Sequence, residues 1–428
     1  MKPPSNLQAR VHPSRIEGSA TAPASKSYTQ RALLASLLAQ GKSKLIHPGE
    51  SEDERHMLET ICQLGATVDR SQEGWDIEAE QEAYTHKREL HMGESGLGIR
   101  LITPVAAMFP GITTLTGTGS LLKRPMSPFE ETLREAGGYC RTNNGYLPLT
   151  VRGPLKGGTI HLDGSHGSQF LSGLLFALPL ASSDSRIVVE NLRSKPYIDM
   201  TLEVLHHFGI QVKNHQYQRF SIPGNQKYRP ETIEIEGDWS NAAFLLSGAA
   251  IHGKINLKGL NARSFQGDRK VLEALSDSGA RWVHNQESYS IQSPPELSAF
   301  DFDATDCPDL FPPLAVLAAY ARGTSSIYGV HRLEHKESNR AKALGELLSA
   351  NGITVNTGKN DQMLITGGQP SGGTFDSHND HRIAMAAAIL ALKATNPIII
   401  KQAGAINKSF PSFYEILQKL QVKIDYPS

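Results

Sequence analysis

The sequence predicts an α/β protein built as two domains, and three observations carry the prediction. Six Ala/Leu-rich stretches of helical length begin near Arg31, Ile99, Gln169, Asn241, Phe311 and His381, 68 to 72 residues apart. Each is followed by a short β-like run and then by a second, amphipathic helical stretch. Six such units account for nearly all of the 428 residues, a length too great for one ordinary core, which gives three units to each of two domains.

The first helices, RALLASLLAQG, IRLITPVAAMFPG, QFLSGLLFALPLA, NAAFLLSGAAIHG, FPPLAVLAAYARG and HRIAMAAAILALKA, are apolar nearly all round and so belong inside a domain. The runs after them, SKLIH, TTLTG, RIVVE, KINLK, SSIYG and PIIIK, favour strands. The second helices include HMLETICQLGATV, FEETLREAGGYC, IDMTLEVLHHFGIQV, RKVLEALSDSGARW, NRAKALGELLSANGITV and FYEILQKLQVKI. Apolar residues three and four apart place them outside, and most end in a Gly suited to a left-handed C-cap. Further strand candidates, such as GYLPLTVRG with GGTIHLDG, complete a βαβαββ unit.

The least patterned junction, NQKYRPET, falls between the third and fourth units. The sixth unit ends at VKIDYPS without its later strands, whereas ARVHPSRIEGS is a strand candidate left over at the start. The expected domains are therefore 22–232, and 1–21 plus 233–428, with the N-terminal strand completing the second and the chain crossing twice.

Hydrophobic residues at 39% and charged residues at 20% suit a globular chain with a sizeable core. Lys plus Arg equals Asp plus Glu at 43 each, which argues against a broad nucleic-acid face. Cys62, Cys140 and Cys307 are odd in number and lack metal-ligand spacing, so a reducing, cytoplasmic setting is expected. The start has no apolar signal core, and no apolar run reaches membrane length, so no membrane association is expected.

Unusual residues collect just before the helices. The buried helices are preceded by PASKSYTQR, GESGLGIR, GSHGSQ, EGDWSN, DCPDLF and HNDHR, and the outer ones by PGESED, LLKRPMS, RSKPYID, SFQGDRK, EHKESNR and INKSFPS. Helix N-termini offer free N–H groups and a partial positive charge, a ready anion site. Lys26, Arg31, Arg100, Arg124, Lys195, Lys336, Arg340, Arg382 and Lys408 lie in or beside these segments. In a chain of zero net charge they imply a ligand with several negative charges, phosphates or carboxylates. The plain alternative is ordinary Ser, Asp and Asn capping beside solvated Lys and Arg, which accounts for one site more easily than for the whole set.

No phosphate-loop motif is present, and HExxH, CxxC and DxDxDG are absent, so no metal site is expected. Asp309 and Glu337 stand among the cations and could exchange protons at tuned pKa values. Asp309 can equally be read as an N-cap, and Glu337 as an ion-pair partner of Lys336 or Arg340.

Eleven blocks in order, PASKSYTQRALL, GESGLGIR, the KRP of LLKRPMS, SQFLSGLL, SKPYIDMTL, EGDWSNAAF, QGDRK, CPDLFPPLAV, HKESNRAKAL, NDHRIAMA and NKSFPSFYEIL, resemble the enolpyruvyl transferases, on the shikimate-pathway side of that family. The resemblance implies the two-domain enolpyruvyl transferase fold, each domain of three βαβαββ units, with helix N-termini facing an interdomain cleft that closes on the substrates. It implies transfer of the enolpyruvyl group of phosphoenolpyruvate to the 5-hydroxyl of shikimate 3-phosphate, with no cofactor; a monomer is expected, though the sequence does not fix the oligomeric state. Shikimate 3-phosphate would fall on Lys26, Ser27, Arg31, Ser168, Gln169, Ser194, Tyr197, Asp309 and Lys336. Phosphoenolpyruvate would fall on Lys26, Gly96, Arg124, Gln169, Arg340, Arg382 and Lys408. Asp309 and Glu337, with Lys26, would handle the protons.

The chain departs from the family pattern at Ala24, where Gly is usual, at Glu94 (Asn) and Leu97 (Thr), and at Gly167 (Ser). Glu94 is expected to oppose an anion unless Arg100 or another cation pairs with it. Two rivals remain. A UDP-amino-sugar enolpyruvyl transferase usually carries a reactive Cys ahead of the KRP segment, and TGTGSLLKRP has none. A non-catalytic anion-binding relative would be expected to lose one of Lys26, Asp309, Glu337 or Arg382.

Overall fold

The structure, a computed structural model, describes residues 7–71, 73–79, 88–334, 336–357 and 360–427. The chain divides into two compact units: Ala24–Ile235 forms the first, and the residues up to Pro23 together with those from Glu236 onward form the second. Each has its own hydrophobic core.

The first unit holds α1 (Lys26–Leu38), α2 (Glu52–Gln63), α3 (Gly96–Ala106), α4 (Pro128–Glu135), α5 (Gln169–Ala177) and α6 (Pro196–His207). The second holds α7 (Trp239–His252), α8 (Val271–Asp277), α9 (Phe311–Ala319), α10 (Arg340–Ala350), α11 (His381–Ala391) and α12 (Phe413–Lys419). As their all-round apolar sequences require, every residue of α3, α9 and α11 is buried, and α1, α5 and α7 expose only terminal residues. The even-numbered helices bury one face, as α4 does with Phe129, Thr132 and Leu133. Behind five of them Gly65, Gly137, Gly209, Gly279 and Gly352 take positive φ, while Gln421 (φ 70°) does so behind α12.

Six four-stranded sheets share one strand order among the described residues. Gly158–Asp163 runs parallel to Ser185–Glu190, which pairs antiparallel with Arg219–Ile222, and that strand with Lys213–His215. Three sheets borrow a strand from a distant part of the chain. Thr232–Glu234 lies parallel to Gly41–Ile46, so the last strand before the second unit closes the sheet of the first repeat. Ile16–Thr21 lies parallel to Gly253–Lys258, and Ala9–Val11 sits between Ile398–Lys401 and Ile424–Asp425.

The N-terminal segment read as one strand is thus two, serving different sheets. Pro13 between them has no N–H to give to a ladder.

Within the first unit α5 meets α3 at Gly173, where a Cβ would stand 2.2 Å from the Arg100 carbonyl. Any larger residue there would push the two helices apart and with them the side chains at their N-termini. In the second unit α7, α9 and α11 pack on one another, and Arg382 at the start of α11 reaches Asp309 just ahead of α9. No helix of the described residues is long and apolar enough to cross a membrane.

Candidate active site

In the first unit the start of α1 is capped by Ser25, whose hydroxyl accepts from Tyr28 N. Lys26 Nζ lies 2.9 Å from Oδ2 of Asp53, in the first turn of α2. Arg31, 1% exposed, donates to Thr201 Oγ1 (2.9 Å), to the Ser27 carbonyl (2.9 Å) and to the Tyr197 carbonyl (3.3 Å). Burial lowers its pKa to about 10, with Tyr197 opposing. Ser194, just ahead of α6, holds φ 58°, and its carbonyl accepts from Tyr197 N. Ser27, Arg31, Ser194 and Tyr197 therefore share one neighbourhood.

A second neighbourhood forms at the starts of α3 and α5. Arg100 donates to Gln169 Oε1 (2.8 Å) and to the carbonyls of Gly96 and Pro125 (3.3 Å each), with its guanidinium over the Phe170 ring. Arg124, 6% exposed, packs so closely on Gly96 that a Cβ there would stand 2.1 Å from Nη1. Ser168 heads α5 without a side-chain capping bond. Gly167 before it takes φ 108°, a conformation a serine would adopt only under strain. Glu94 accepts from both N and Oγ of Ser120, each at 2.9 Å. Leu97 is buried in the core, and Ala24 packs against it.

In the second unit Asp309 meets three cations: Arg340 Nη1 at 2.8 Å, Arg382 Nη2 at 3.1 Å and Lys336 Nζ at 3.6 Å. Burial alone would raise its pKa, but Arg382, Lys336 and Arg340 outweigh it and hold the carboxyl well below the usual range. The same environment lowers Lys336 to about 8, through burial first and then Arg340 and Arg332, against the pull of Asp309. Arg340 also holds Glu337 Oε2 at 2.5 Å and Asp380 Oδ2 at 2.8 Å. Its own burial disfavours the charge, yet Asp380, Glu337 and Asp309 raise its pKa. Arg382 keeps Nε and Nη1 buried without a hydrogen-bond partner among the described residues. Lys408 Nζ donates to the Asn379 carbonyl at 2.7 Å.

Capping is real at Ser25, Ser95, Asp238 and Asp380. The cations, however, are not solvated: Arg31, Arg100, Arg124, Arg340, Arg382 and Lys408 are buried, and Lys195 is the exposed exception. Asp309 is not the N-cap of α9, since it lies in the 3₁₀ turn Pro308–Leu310 and spends its carboxylate on cations. Glu337 does pair with Arg340, as its plain reading had it.

Sequence reasoning missed Asp53 and Asp380. Each stands at a helix start within a quoted segment, PGESED or NDHR, and each serves a cation that spacing does not reveal.

Glu337, Asp380 and His381 bring one ligand atom each within 4.8 Å of the others, a spacing that a metal ion can use. Arg340 already bridges the two carboxylates, so a divalent cation would have to displace a buried guanidinium. The three cysteines are free. Burial raises every one of their pKa values, Cys140 to about 12 with Glu130 adding, so none resembles an activated thiol.

A two-unit α/β fold of six like repeats, with buried cations paired to carboxylates at its helix starts, is that of the enolpyruvyl transferases. Residues 11–417 match the family model of EPSP synthase (3-phosphoshikimate 1-carboxyvinyltransferase), and the chain belongs to that family. It is 37% identical to the 3-phosphoshikimate 1-carboxyvinyltransferase of Clostridium kluyveri over 97% of each chain. It is also 37% identical to that of Methanocorpusculum labreanum, over 96% of this chain and 97% of the other. A solved EPSP synthase from Acinetobacter baumannii superposes with a TM-score of 0.82 at 25% identity, over 99% of this chain and all of that one.

Proposed function

We propose that the chain transfers the enolpyruvyl group of phosphoenolpyruvate to the 5-hydroxyl of shikimate 3-phosphate. The 5-hydroxyl gives up its proton, by way of Lys26, as its oxygen bonds to C2 of phosphoenolpyruvate while C3 gains a proton, giving a tetrahedral ketal phosphate. Loss of a C3 proton and cleavage of the C2–O bond to phosphorus-bearing oxygen then release phosphate and leave the enol ether. The observation that carries this reading is Asp309, held ionised by Arg340, Arg382 and Lys336, with Glu337 on the same Arg340 guanidinium.

A carboxylate so stabilised is a poor proton store and a good hydrogen-bond acceptor, so Asp309 orients the 5-hydroxyl. Glu337 exchanges the C3 proton, with Lys26 as a partner in transfer. Arg124, Arg340, Arg382 and Lys408, with Gly96 and Gln169, hold phosphoenolpyruvate and stabilise charge on its carboxylate and departing phosphate. Ser27, Arg31, Ser168, Gln169, Ser194, Tyr197 and Lys336 hold shikimate 3-phosphate.

The purified protein, given both substrates, is expected to release one phosphate per enol ether formed. Binding without phosphate release would sink the proposal, and turnover with a UDP-amino sugar instead would favour the rival. The reading includes a cytoplasmic setting, in keeping with three free cysteines, and a monomer, to be checked by cell fractionation and light scattering.

A further inference from the structure

We infer that Glu94 is a positioning residue: its carboxylate clamps the turn that carries Arg124 and so aims that guanidinium at the phosphoenolpyruvate anion. The inference rests on the assignment of Arg124 above. A carboxylate beside an anion site would ordinarily weaken it, which makes its orientation decisive.

Glu94 Oε2 accepts two bonds from one residue, Ser120 N and Ser120 Oγ, both at 2.9 Å. Ser120 lies in the 3₁₀ turn Gly119–Lys123, and Arg124 is the residue that ends this turn. A parallel stitch ties the same two segments, Thr118 N donating to the Gly93 carbonyl at 2.8 Å. Gly119 takes φ 56° where a Cβ would stand 2.4 Å from the Glu94 carboxyl carbon, so the turn is shaped to let the carboxylate in. At the far end Arg124 rests against Gly96, two residues beyond Glu94, and Arg100 holds the Pro125 carbonyl at 3.3 Å. The carboxylate thus fixes one end of a turn whose other end is Arg124. Two charge-assisted bonds to Ser120 also occupy the negative charge.

The test compares Glu94→Ala and Glu94→Gln with the wild type. Glu94→Ala is expected to raise KM for phosphoenolpyruvate about tenfold and to leave KM for shikimate 3-phosphate within about twofold. Glu94→Gln keeps an acceptor for Ser120 and is expected to restore most of the loss. Exchange of the Ser120 amide should quicken in Glu94→Ala and not in Glu94→Gln.

Tighter phosphoenolpyruvate binding by Glu94→Ala would mean that the carboxylate only repels the ligand, and failure of Glu94→Gln to rescue would exclude the clamp. Gly119→Ala, whose new methyl group displaces the carboxylate, gives an independent reading, and a normal KM there would also overturn the inference. If the wild type releases no phosphate the functional reading fails by itself, whereas Ser120 exchange still reports the clamp.

Discussion

Arg340 Nη1 stands 2.8 Å from Asp309 Oδ1, and this contact sets what Asp309 can do. With Arg382 and Lys336 on the same carboxylate, Asp309 stays ionised far below neutral pH. It can accept a hydrogen bond from a substrate hydroxyl across the whole working range. Asp309→Ala is expected to lower kcat by about two to four orders of magnitude. Because Asp309 is already ionised, the acid limb of the pH profile belongs to another group. Asp309→Asn should therefore lower the plateau and keep an acid limb, and loss of that limb in the variant would show that Asp309 itself titrates in catalysis.

Lys336 supplies a pH dependence on the other side. Its ammonium, lowered to about 8, is protonated below that pH and neutral above it. A cation that holds substrate is lost as pH rises, so KM for shikimate 3-phosphate should climb above pH 8. Lys336→Arg keeps its charge to far higher pH and is expected to abolish the climb. An unchanged alkaline rise in that variant would assign it elsewhere.

The repeat was legible because its signal is compositional: six helices such as HRIAMAAAILALKA are apolar on every face and can only lie inside. Strand exchange was less legible. Thr232–Glu234 and Ile424–Asp425 are two or three residues long, too short to show alternation, and their partners lie far away in sequence. The cationic residues could be read from their places at helix starts, as could Asp309 and Glu337 among them, whereas Asp53 and Asp380, which hold Lys26 and Arg340, could not. Asp380 looks like a cap, and it is one, accepting from Arg382 N at 2.9 Å. Its second task, on Arg340 from another helix, arises only when α10 and α11 pack.

That double task makes Asp380 a sensitive position. It is wholly buried, and Ser338 Oγ also donates to it at 3.0 Å. Asp380→Ala removes the cap of α11 and leaves the buried Arg340 with one carboxylate fewer, a change that typically costs about 3–5 kcal/mol. Asp380→Asn retains a capping acceptor and should cost less. Denaturant midpoints of the two variants check the order, and equal loss would mean that the cap contributes nothing measurable.

Glu54 gives the last prediction, one of stability. Its carboxylate accepts from Ser51 N at 2.7 Å in a capping box at the start of α2, yet it is 2% exposed. Burial raises its pKa from 4.5 to about 7, although bonds from Ser51 and Thr29 and the charge of Lys26 pull the other way. In this window the folded state binds more protons than the unfolded one, so stability falls as pH rises from about 4.5 through 7 and levels off above. The shift corresponds to a contribution on the order of 3 kcal/mol. Glu54→Gln carries no charge to bury, so wild type should lose stability relative to this variant between pH 5 and pH 8. Urea unfolding of both proteins at the two pH values measures the difference. A gap between them that stays constant would show that Glu54 remains ionised in the folded protein throughout.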